Sequence, residues 1–297
     1  MGSCLSPARG VDVRLLVTGG SSFVGAHFCR RAATHHEVLA LHHQTPLALS
    51  GVTPVRCDLR HPAAVDRVRA LQADAVVHLA CKAIGSSEVL TRVNRRLMDV
   101  VLALELPVVY ASSTVVHWEQ ETTYGRCRKE DEARLASSGL PWVTVRPAAP
   151  YGPRLREHVT GHTESFHTLA RFVRSSPLVP VMGDGKVLRQ PLHVHDFVDA
   201  MLAFLDQPLP CMAFDAAGSE VLTMDQVIDT LAAALGTRPG KLHLPAALFQ
   251  RLTGLFGDLD EELVAAFCTD DVVDHEPLER ASGVRMRPFS EGARDLR

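Results

Sequence analysis

The 297-residue chain lacks long apolar runs, paired cysteines and a leader for secretion. No apolar stretch approaches the roughly 20 residues that a membrane-spanning helix needs. The opening "MGSCLSPARG" has no apolar core of a signal peptide. The seven cysteines form no CxxC pair, which is typical of reduced thiols inside the cell. We therefore expect a cytoplasmic protein that does not use a membrane as its partner.

A strong charge of one sign is also missing. The net charge is −3 and no long basic run occurs, so we do not expect nucleic acid as a partner. Apolar residues make up 46% and charged residues 22% of the chain, a composition that supports a sizeable core and excludes wholesale disorder. The length predicts one domain with a smaller lobe.

The first residues match a lipid-attachment pattern. The segment "MGSCLS" fits Met-Gly-x-x-x-Ser, with Cys4 as a neighbouring thiol. Short motifs of this kind recur by chance, so we expect residues 1–10 to form a flexible leader.

Apolar runs alternate with amphipathic segments through the first half of the chain. Continuous apolar runs, typical of strands buried on both faces, cover 13–20, 37–43, 52–59, 74–81, 107–113 and 142–148. Helical spacing covers 23–36, 62–72, 86–105 and 124–139. This alternation predicts an α/β fold in which helices cover both faces of a parallel sheet. We assign this domain to residues 11–150.

The regular alternation stops near Tyr151. A polar stretch over 151–167 precedes a helical segment at 166–176, a strand-like segment at 212–218 and a capped helix at 223–236. We expect the remainder to be helical and irregular. The region 151–297 is therefore predicted to be mixed, with a small lobe and with elements that return to the sheet at about 187–220.

A small-residue turn joins the first predicted strand to the first predicted helix. In "VTGGSSFVGAHF" the backbone can approach a diphosphate, which a helix amino terminus binds through its free N–H groups. The residues that we assign to this loop are Gly19, Ser22, Phe23, Val24 and Gly25.

The same stretch resembles the TGxxGxxG loop of the extended short-chain dehydrogenases/reductases, a family that includes nucleotide-sugar epimerases, dehydratases and reductases. Ser22 stands where that family has its middle glycine. The resemblance continues in order through "CDLR", "VVHLAC", "VNRRLMDVVLAL", "VVYASSTVV", "VRPAAPYGP" and "LRQPLHVHDFVDAM". It implies a Rossmann doubly wound sheet with a small carboxyl-terminal substrate lobe.

The resemblance also implies a nicotinamide cofactor. It assigns to that cofactor Asp58, Leu59, Leu79, Ala80 and Cys81. A carboxylate at the end of the second strand would bind the ribose hydroxyls and repel a 2′-phosphate, but His42 and His43 stand there. We expect NADP in preference to NAD.

The catalytic residues that the resemblance implies are Ser113, Tyr124 and Arg128, with Thr114 as the alternative to Ser113. The family has lysine one helical turn after the tyrosine, where it binds ribose and lowers the tyrosine pKa. Here the segment is "YGRCRK". At about 100° per residue, position 128 faces the same side as Tyr124 and Lys129 does not. Arginine keeps the charge and can fork onto hydroxyls, so we expect Arg128 to bind the nicotinamide ribose and to tune the pKa of Tyr124.

The substrate that the resemblance implies is a nucleotide sugar, altered at a carbinol or ketone carbon. The residues assigned to the substrate are Lys82, Thr114, His117 and Arg189. Arg189 corresponds to an arginine that binds phosphate in the family, whereas Ala149 replaces a substrate-contacting asparagine. Two alternatives stay open: a reductase of a non-sugar metabolite, and a cofactor-binding protein without turnover.

We expect no metal site, because the spacing of His158, His162 and His167 fits no standard zinc motif. Relatives in the family dimerise through two helices that correspond to 86–105 and 124–139. On that resemblance we expect a homodimer.

Overall fold

The computed structural model describes residues 13–158, 160, 164–245, 248 and 268–297. The predicted leader at 1–10, its lipid-attachment pattern and His162 lie outside the described residues. Within the described ranges, no helix is long and apolar enough to cross a membrane.

A helix separates most neighbouring strands along the described part of the chain, although several strands follow one another directly. In chain order the strands are β1 (Arg14–Thr18), β2 (Glu37–His42), β3 (Val52–Arg56), β4 (Ala75–His78), β5 (Val108–Ala111), β6 (Trp142–Pro147), β7 (Pro150–Tyr151), β8 (Leu178–Met182), β9 (Leu188–Arg189), β10 (Leu192–His193), β11 (Met212–Ala216), β12 (Leu222–Thr223) and β13 (Gly240–Leu244). The helices are α1 (Phe23–Ala32), α2 (Ala64–Arg69), α3 (Ser87–Ala103), α4 (Thr123–Ala136), α5 (Ser165–Ser175), α6 (Val194–Ala203), α7 (Met224–Leu235), α8 (Glu276–Ser282) and α9 (Phe289–Gly292).

Seven strands form one parallel sheet in the order β11-β6-β5-β4-β1-β2-β3. The central strands are buried on both faces: Leu15, Leu16 and Val17 of β1 are fully buried, as are Val76 and Val77 of β4. Apolar side chains from α1 and α6 cover one face, and those from α2 and α3 cover the other. The predicted α/β Rossmann fold with a doubly wound parallel sheet is confirmed.

The second half of the chain contributes to the sheet and to a separate cluster. Helix α6 packs on α1, and β11 pairs with β6 as the seventh strand. Helices α5, α7 and α9 bury a smaller apolar core with the parallel pair β8–β13. Strand β13 corrects the expectation of only helical and irregular structure after residue 236. No local sequence pattern indicates this strand, because its partner β8 is remote in sequence and its Lys241 is held by Asp229 of α7.

Buried histidines line the contact between α1 and the second half of the chain. The Nε2 atom of His27 lies 2.9 Å from the carbonyl oxygen of Pro153. Its ring centroid is 5.1 Å from that of His195, which is 5.0 Å from that of His193. Burial, the largest cause, lowers the pKa of His27 and of His193 to about 4. Both rings are therefore neutral in the folded protein at pH 7.

We expect acid to weaken this contact before it titrates most carboxylates. The unfolded chain binds protons at these histidines below about pH 6.5, whereas the folded state binds them only near pH 4, so stability is lost as the pH falls between these values. By pH 5 each ring should account for about 2 kcal/mol of the lost free energy of unfolding. Urea unfolding at pH 7.5 and 5 measures this. His27→Gln should flatten the dependence, and His35→Gln, at an exposed position shortly after α1, should not.

Candidate active site

The turn after β1 closes tightly over its neighbours because two of its residues have no side chain. Gly19 has φ +70°, and a Cβ there would lie 2.8 Å from the backbone of Ala80. A Cβ on Gly25 would lie 2.1 Å from the carbonyl oxygen of Gly19. The phosphate loop predicted from the sequence therefore has the backbone packing that its glycines imply.

Ser22 begins α1 as its N-cap. Its Oγ accepts a hydrogen bond from the backbone N–H of Gly25 at 3.0 Å. The backbone N–H groups of Phe23 and Val24 lie in the first turn of α1, where N–H groups have no acceptor within the helix. This turn carries no acidic residue. The side chain that replaces the family glycine thus serves as the helix cap. These groups fit the pyrophosphate of a dinucleotide.

The end of β4 is tied to the phosphate loop by one hydroxyl. Thr18 Oγ1 accepts from the N–H groups of Leu79 at 3.2 Å and Ala80 at 3.1 Å, and lies 2.7 Å from His78 Nδ1. Thr18 therefore donates to that nitrogen, which assigns the neutral tautomer with its proton on Nε2. Burial lowers the pKa of His78 to about 3. The strand end predicted to support the cofactor is held rigidly.

Three polar side chains, those of His43, Asp58 and Arg60, meet beyond the ends of β2 and β3. The sequence prediction identified only the first two as site residues. His43 Nε2 lies 3.4 Å from Asp58 Oδ2. Arg60 donates to both oxygens of Asp58 at 2.8 Å and lies 3.5 Å from His43. The hydrogen bond from Arg60 is the largest cause that lowers the pKa of Asp58 to about 2. Arg60 was missed as a site residue, although it stands two positions after Asp58 in the quoted "CDLR". His42 ends β2 beside them, and Leu59 is buried.

Tyr124 lies in the first turn of α4, which Thr122 caps by accepting from the N–H of Gly125 at 3.0 Å. One turn later, the guanidinium carbon of Arg128 lies 5.2 Å from the centroid of the Tyr124 ring and 5.6 Å from that of Tyr110. Lys129 points elsewhere and pairs with Glu121 at 3.1 Å. The structure places Arg128 against Tyr124, the arrangement that the helical spacing predicts.

Arg128 is almost completely buried, with 1% of its side chain exposed. Its Nη2 donates to Asn94 Oδ1 at 3.0 Å and lies 3.1 Å from Asp131 Oδ2. Asn94 also accepts from the N–H of Lys82 at 2.8 Å and donates to the Lys82 carbonyl at 2.9 Å. The arginine is thus part of a network that fixes the loop after β4, where Lys82 has an exposed side chain.

The pKa of Tyr124 is raised. Burial is the largest cause, and Cys81 adds to it by its charge and by a hydrogen bond. Arg128 acts in the opposite direction, and Asp131 raises the pKa again. Cys81, which the resemblance assigns to the cofactor, therefore also lies within hydrogen-bond reach of the Tyr124 hydroxyl. In this structure Tyr124 is a protonated phenol at neutral pH.

Ser113 begins a short 3-10 helix at Thr114–His117, and its Oγ accepts from the N–H of Val115 at 3.4 Å. Thr114 is buried, with Oγ1 3.4 Å from the carbonyl oxygen of Pro147. His117 Nε2 lies 2.8 Å from Asp215 Oδ1. The segment that follows β5 thus presents the residues assigned to catalysis and substrate on one turn.

This turn forms one wall of a cleft of about 500 Å³. The described residues that line it are Thr114, His117, Trp118, Glu119, Gln120, Thr269, Asp270, Asp271, Val272 and Val273. Trp118 Nε1 donates to Asp271 Oδ1 at 3.4 Å. Arg189 does not appear in this lining. Its guanidinium donates to the carbonyl oxygens of Leu188, at 2.9 Å, and Thr269.

The histidines considered for a metal make other contacts. His158 Nε2 lies 2.9 Å from the carbonyl oxygen of Ser21, and His167 Nε2 lies 2.9 Å from that of Gly152. In the part of the chain that the structure describes, no group of three or more His, Cys, Asp or Glu residues has the arrangement of a metal site.

A parallel sheet whose first strand runs through a glycine turn into a helix is typical of proteins that bind a dinucleotide. The chain belongs to the NAD dependent epimerase/dehydratase family, whose model matches residues 15–134 and 131–210. The resemblance to this group, given above on the motifs, is confirmed.

The relatives include reductases and epimerases. The chain is 28% identical to a dTDP-4-dehydro-6-deoxy-D-allose reductase of a Streptomyces species, over 275 residues that cover 77% of this chain and 83% of that protein. The UDP-glucose 4-epimerase of Thermus thermophilus, solved in complex with NAD, is 24% identical with a TM-score of 0.74, covering 95% and 97% of the two chains. The UDP-glucose 4-epimerase of Thermotoga maritima, solved with UDP-glucose, is 16% identical with a TM-score of 0.76, covering 95% and 97%. The structural likenesses show a shared fold.

Proposed function

We propose that the protein is a nicotinamide-dependent oxidoreductase that acts at a carbinol or ketone carbon. The observation that supports this most strongly is the position of Arg128, whose guanidinium carbon lies 5.2 Å from the Tyr124 ring centroid. When bound, the dinucleotide supplies hydride transfer. The first turn of α1 would hold its pyrophosphate, and Leu79, Ala80 and Cys81 would face it from the end of β4.

The chain's own residues manage the proton. Tyr124 donates its hydroxyl proton to the substrate oxygen as that oxygen gains charge, or takes a proton from a hydroxyl in the opposite direction. Ser113 orients the same oxygen by a hydrogen bond, with Thr114 as the alternative. Arg128 packs against the ring of Tyr124 from one helical turn later, at the position where the family has its lysine.

We propose NADP as the cofactor, with Arg60 and His43 as the groups that would bind its 2′-phosphate in competition with Asp58. Arg60 and His43 are two cationic or hydrogen-bonding groups at the ends of β2 and β3. A 2′-phosphate could replace Asp58 as the partner of Arg60 through charge-assisted hydrogen bonds. This proposal stands beside the NAD named with the Thermus relative.

Replacing Arg60 by alanine should separate the two dinucleotides. We expect the dissociation constant for NADP to rise about tenfold, the value of one charge-assisted hydrogen bond, and that for NAD to change by less than about twofold. Calorimetric titration with each dinucleotide measures both constants. Arg92→Ala removes an exposed arginine from α3 and is the matched control. Equal losses for both dinucleotides in Arg60→Ala would show that Arg60 does not select NADP.

A nucleotide sugar is the first candidate substrate, because the reductase relative from Streptomyces acts on a dTDP-sugar by its name. A ketone or alcohol without a diphosphate is the second. The cleft beside Thr114 and His117 supports it, although Ser113 and Tyr124 are not among the described residues that line this cleft. Glu119, Asp270 and Asp271 line the cleft, and no described Lys or Arg does. Outside the described ranges the chain has only Arg9 and Arg251. Carboxylates would repel a diphosphate.

One assay tests the activity and separates the substrates. The protein is mixed with NADPH or NADH and with two panels of ketones, dTDP- or UDP-linked 4-keto sugars and phosphate-free ketones, and the loss of nicotinamide absorbance is followed. Turnover with either panel supports the oxidoreductase. Stabilisation by UDP or dTDP, about 2.7 kcal/mol at 100 times the dissociation constant, supports the nucleotide sugar. Binding of a dinucleotide without turnover on any ketone or alcohol favours the cofactor-binding protein.

The homodimer is proposed on the resemblance alone. Helices α3 and α4 pack together, with Thr123 Oγ1 donating to Ser87 Oγ at 3.0 Å. The mass in solution, measured by light scattering after gel filtration, distinguishes a dimer from the 32.3 kDa monomer.

A further inference from the structure

A buried carboxylate pairs with the cation of the active site. Asp131 lies one turn after Arg128 on α4, with Oδ2 3.1 Å from Arg128 Nη2 and 3% of its side chain exposed. The hydroxyl of Tyr110 donates to the same oxygen at 3.3 Å. Both charges are thus held together in a place with little water, where electrostatic effects are strong.

We propose that Asp131 is a positioning residue that cancels the charge of Arg128 and thereby keeps Tyr124 in its protonated, proton-donating form. This inference rests on the proposed function, in which Tyr124 is the proton-transfer group. An uncompensated cation beside a phenol favours the phenolate. A cation with a carboxylate as its neighbour forms a neutral pair, which favours neither form of the phenol strongly.

The other groups near Tyr124 do not restore a positive charge. Tyr110 is a neutral phenol when protonated. Cys81 raises the pKa of Tyr124, and Arg128 is the one named group that lowers it. Asn94, the second acceptor for Arg128, is neutral. Burial, the largest cause, raises the pKa of Asp131 to about 6, so its carboxylate is charged at pH 7.5. Arg128 and Arg134 lower this pKa, and Glu130 raises it. Burial is the largest cause of the raised pKa of Tyr124, and the charge of Asp131 raises it further.

The consequence for the chemistry is a site arranged to reduce a ketone. A protonated Tyr124 can give its proton to the carbonyl oxygen while the carbonyl carbon is reduced by the bound nicotinamide. The opposite reaction needs the phenolate to take a proton from an alcohol, and this structure disfavours the phenolate at neutral pH. Asp131 therefore sets the pH at which the protein could oxidise an alcohol.

Titration of Tyr124 by NMR tests the inference without a substrate. The chain has three tyrosines, so the protein labelled with carbon-13 at the tyrosine ζ position gives three resonances, and the Tyr124→Phe variant identifies one. We expect Asp131→Asn, which keeps an oxygen acceptor and removes the charge, to lower the titration midpoint of Tyr124 by about one pH unit or more. This corresponds to about ten times more phenolate at a fixed pH.

Glu130→Gln is the matched control, because it removes an exposed carboxylate from the same helix that is not paired with Arg128. Glu130→Gln should leave the titration midpoint of Tyr124 unchanged. The double variant R128Q/D131N removes both charges and should titrate at or above the wild-type midpoint. An unchanged Tyr124 titration in Asp131→Asn would overturn the inference. If Asp131→Asn does not fold, Asp131→Ser removes the same charge and carries the same expectation.

The inference and the proposed function can fail separately. If Asp131→Asn lowers the titration midpoint of Tyr124 but the protein turns over no ketone or alcohol, the role of Asp131 stands and the enzyme proposal fails. If turnover needs Tyr124 but Asp131→Asn does not change the titration midpoint of Tyr124, the enzyme proposal stands and the role of Asp131 fails.

Discussion

The variant Tyr124→Phe is expected to lose about a thousandfold in turnover, the contribution of one general acid, while its dissociation constant for the dinucleotide stays unchanged. Phenylalanine keeps the ring that packs against Arg128 and removes only the hydroxyl that transfers the proton. Initial rates with the substrate found in the ketone panels, and calorimetric titration with the dinucleotide, measure the two quantities.

Tyr151→Phe is the control for this variant. Tyr151 is fully buried, and its hydroxyl has no hydrogen-bond partner among the described residues, so its loss should leave the rate within about twofold. A Tyr124→Phe protein that keeps wild-type rates would contradict the assignment of Tyr124 as the acid. A Tyr124→Phe protein that no longer binds the dinucleotide would show that the substitution acts on the structure of the site.

The variant Arg128→Met is expected to lose about 3–5 kcal/mol of unfolding free energy, because it leaves the buried carboxylate of Asp131 without its cation. The double variant R128M/D131N removes that charge and should recover much of the loss. Urea unfolding of wild type, both single variants and the double variant at pH 7.5 gives the coupling between the two residues.

Lys129→Met provides the comparison at the neighbouring position. Lys129 is exposed and pairs with Glu121 on the surface, so its loss should change stability by less than about 0.5 kcal/mol. Similar small losses for Arg128→Met and Lys129→Met would contradict the view that Arg128 and Asp131 form a buried pair on which the fold depends.

The sheet could be predicted from the sequence because its strands are apolar on both faces. The run "RLLVT" is buried from Leu15 onward, and such runs separated by amphipathic helices leave few arrangements. The pair β8–β13 was not predictable in the same way, since Gly240–Leu244 is mostly exposed and its pairing depends on a strand far away in sequence.

The sequence also predicted which side of α4 carries Tyr124 and Arg128. A helix places residues four apart on one face, which selects Arg128 over Lys129. The contacts of Arg128 with Asn94 and Tyr110 come from α3 and β5, and helical geometry alone does not give them. Asp131 was within reach of prediction, since it stands three positions after Arg128 on the same helix.

The group of side chains beyond β2 and β3 could not be predicted by considering each strand end by itself. His42 and His43 were considered without the carboxylate that reaches them from the next strand. Asp58 and Arg60 join His43 only when β2 and β3 pair, with His42 opposite Arg56. The cleft beyond β5 was missed for a similar reason, because Asp270 and Asp271 reach it from near the carboxyl terminus.

The central claim is that the turn after β1 and the residues around Tyr124 form a working dinucleotide site. Calorimetric titration of the purified protein with NADPH and NADH at pH 7.5 tests it most directly. We predict one site per chain, with a dissociation constant in the micromolar range or below, about −8 kcal/mol, and with NADPH bound more tightly than NADH. Absence of heat with both dinucleotides, from a protein shown to be folded, would contradict the oxidoreductase proposal.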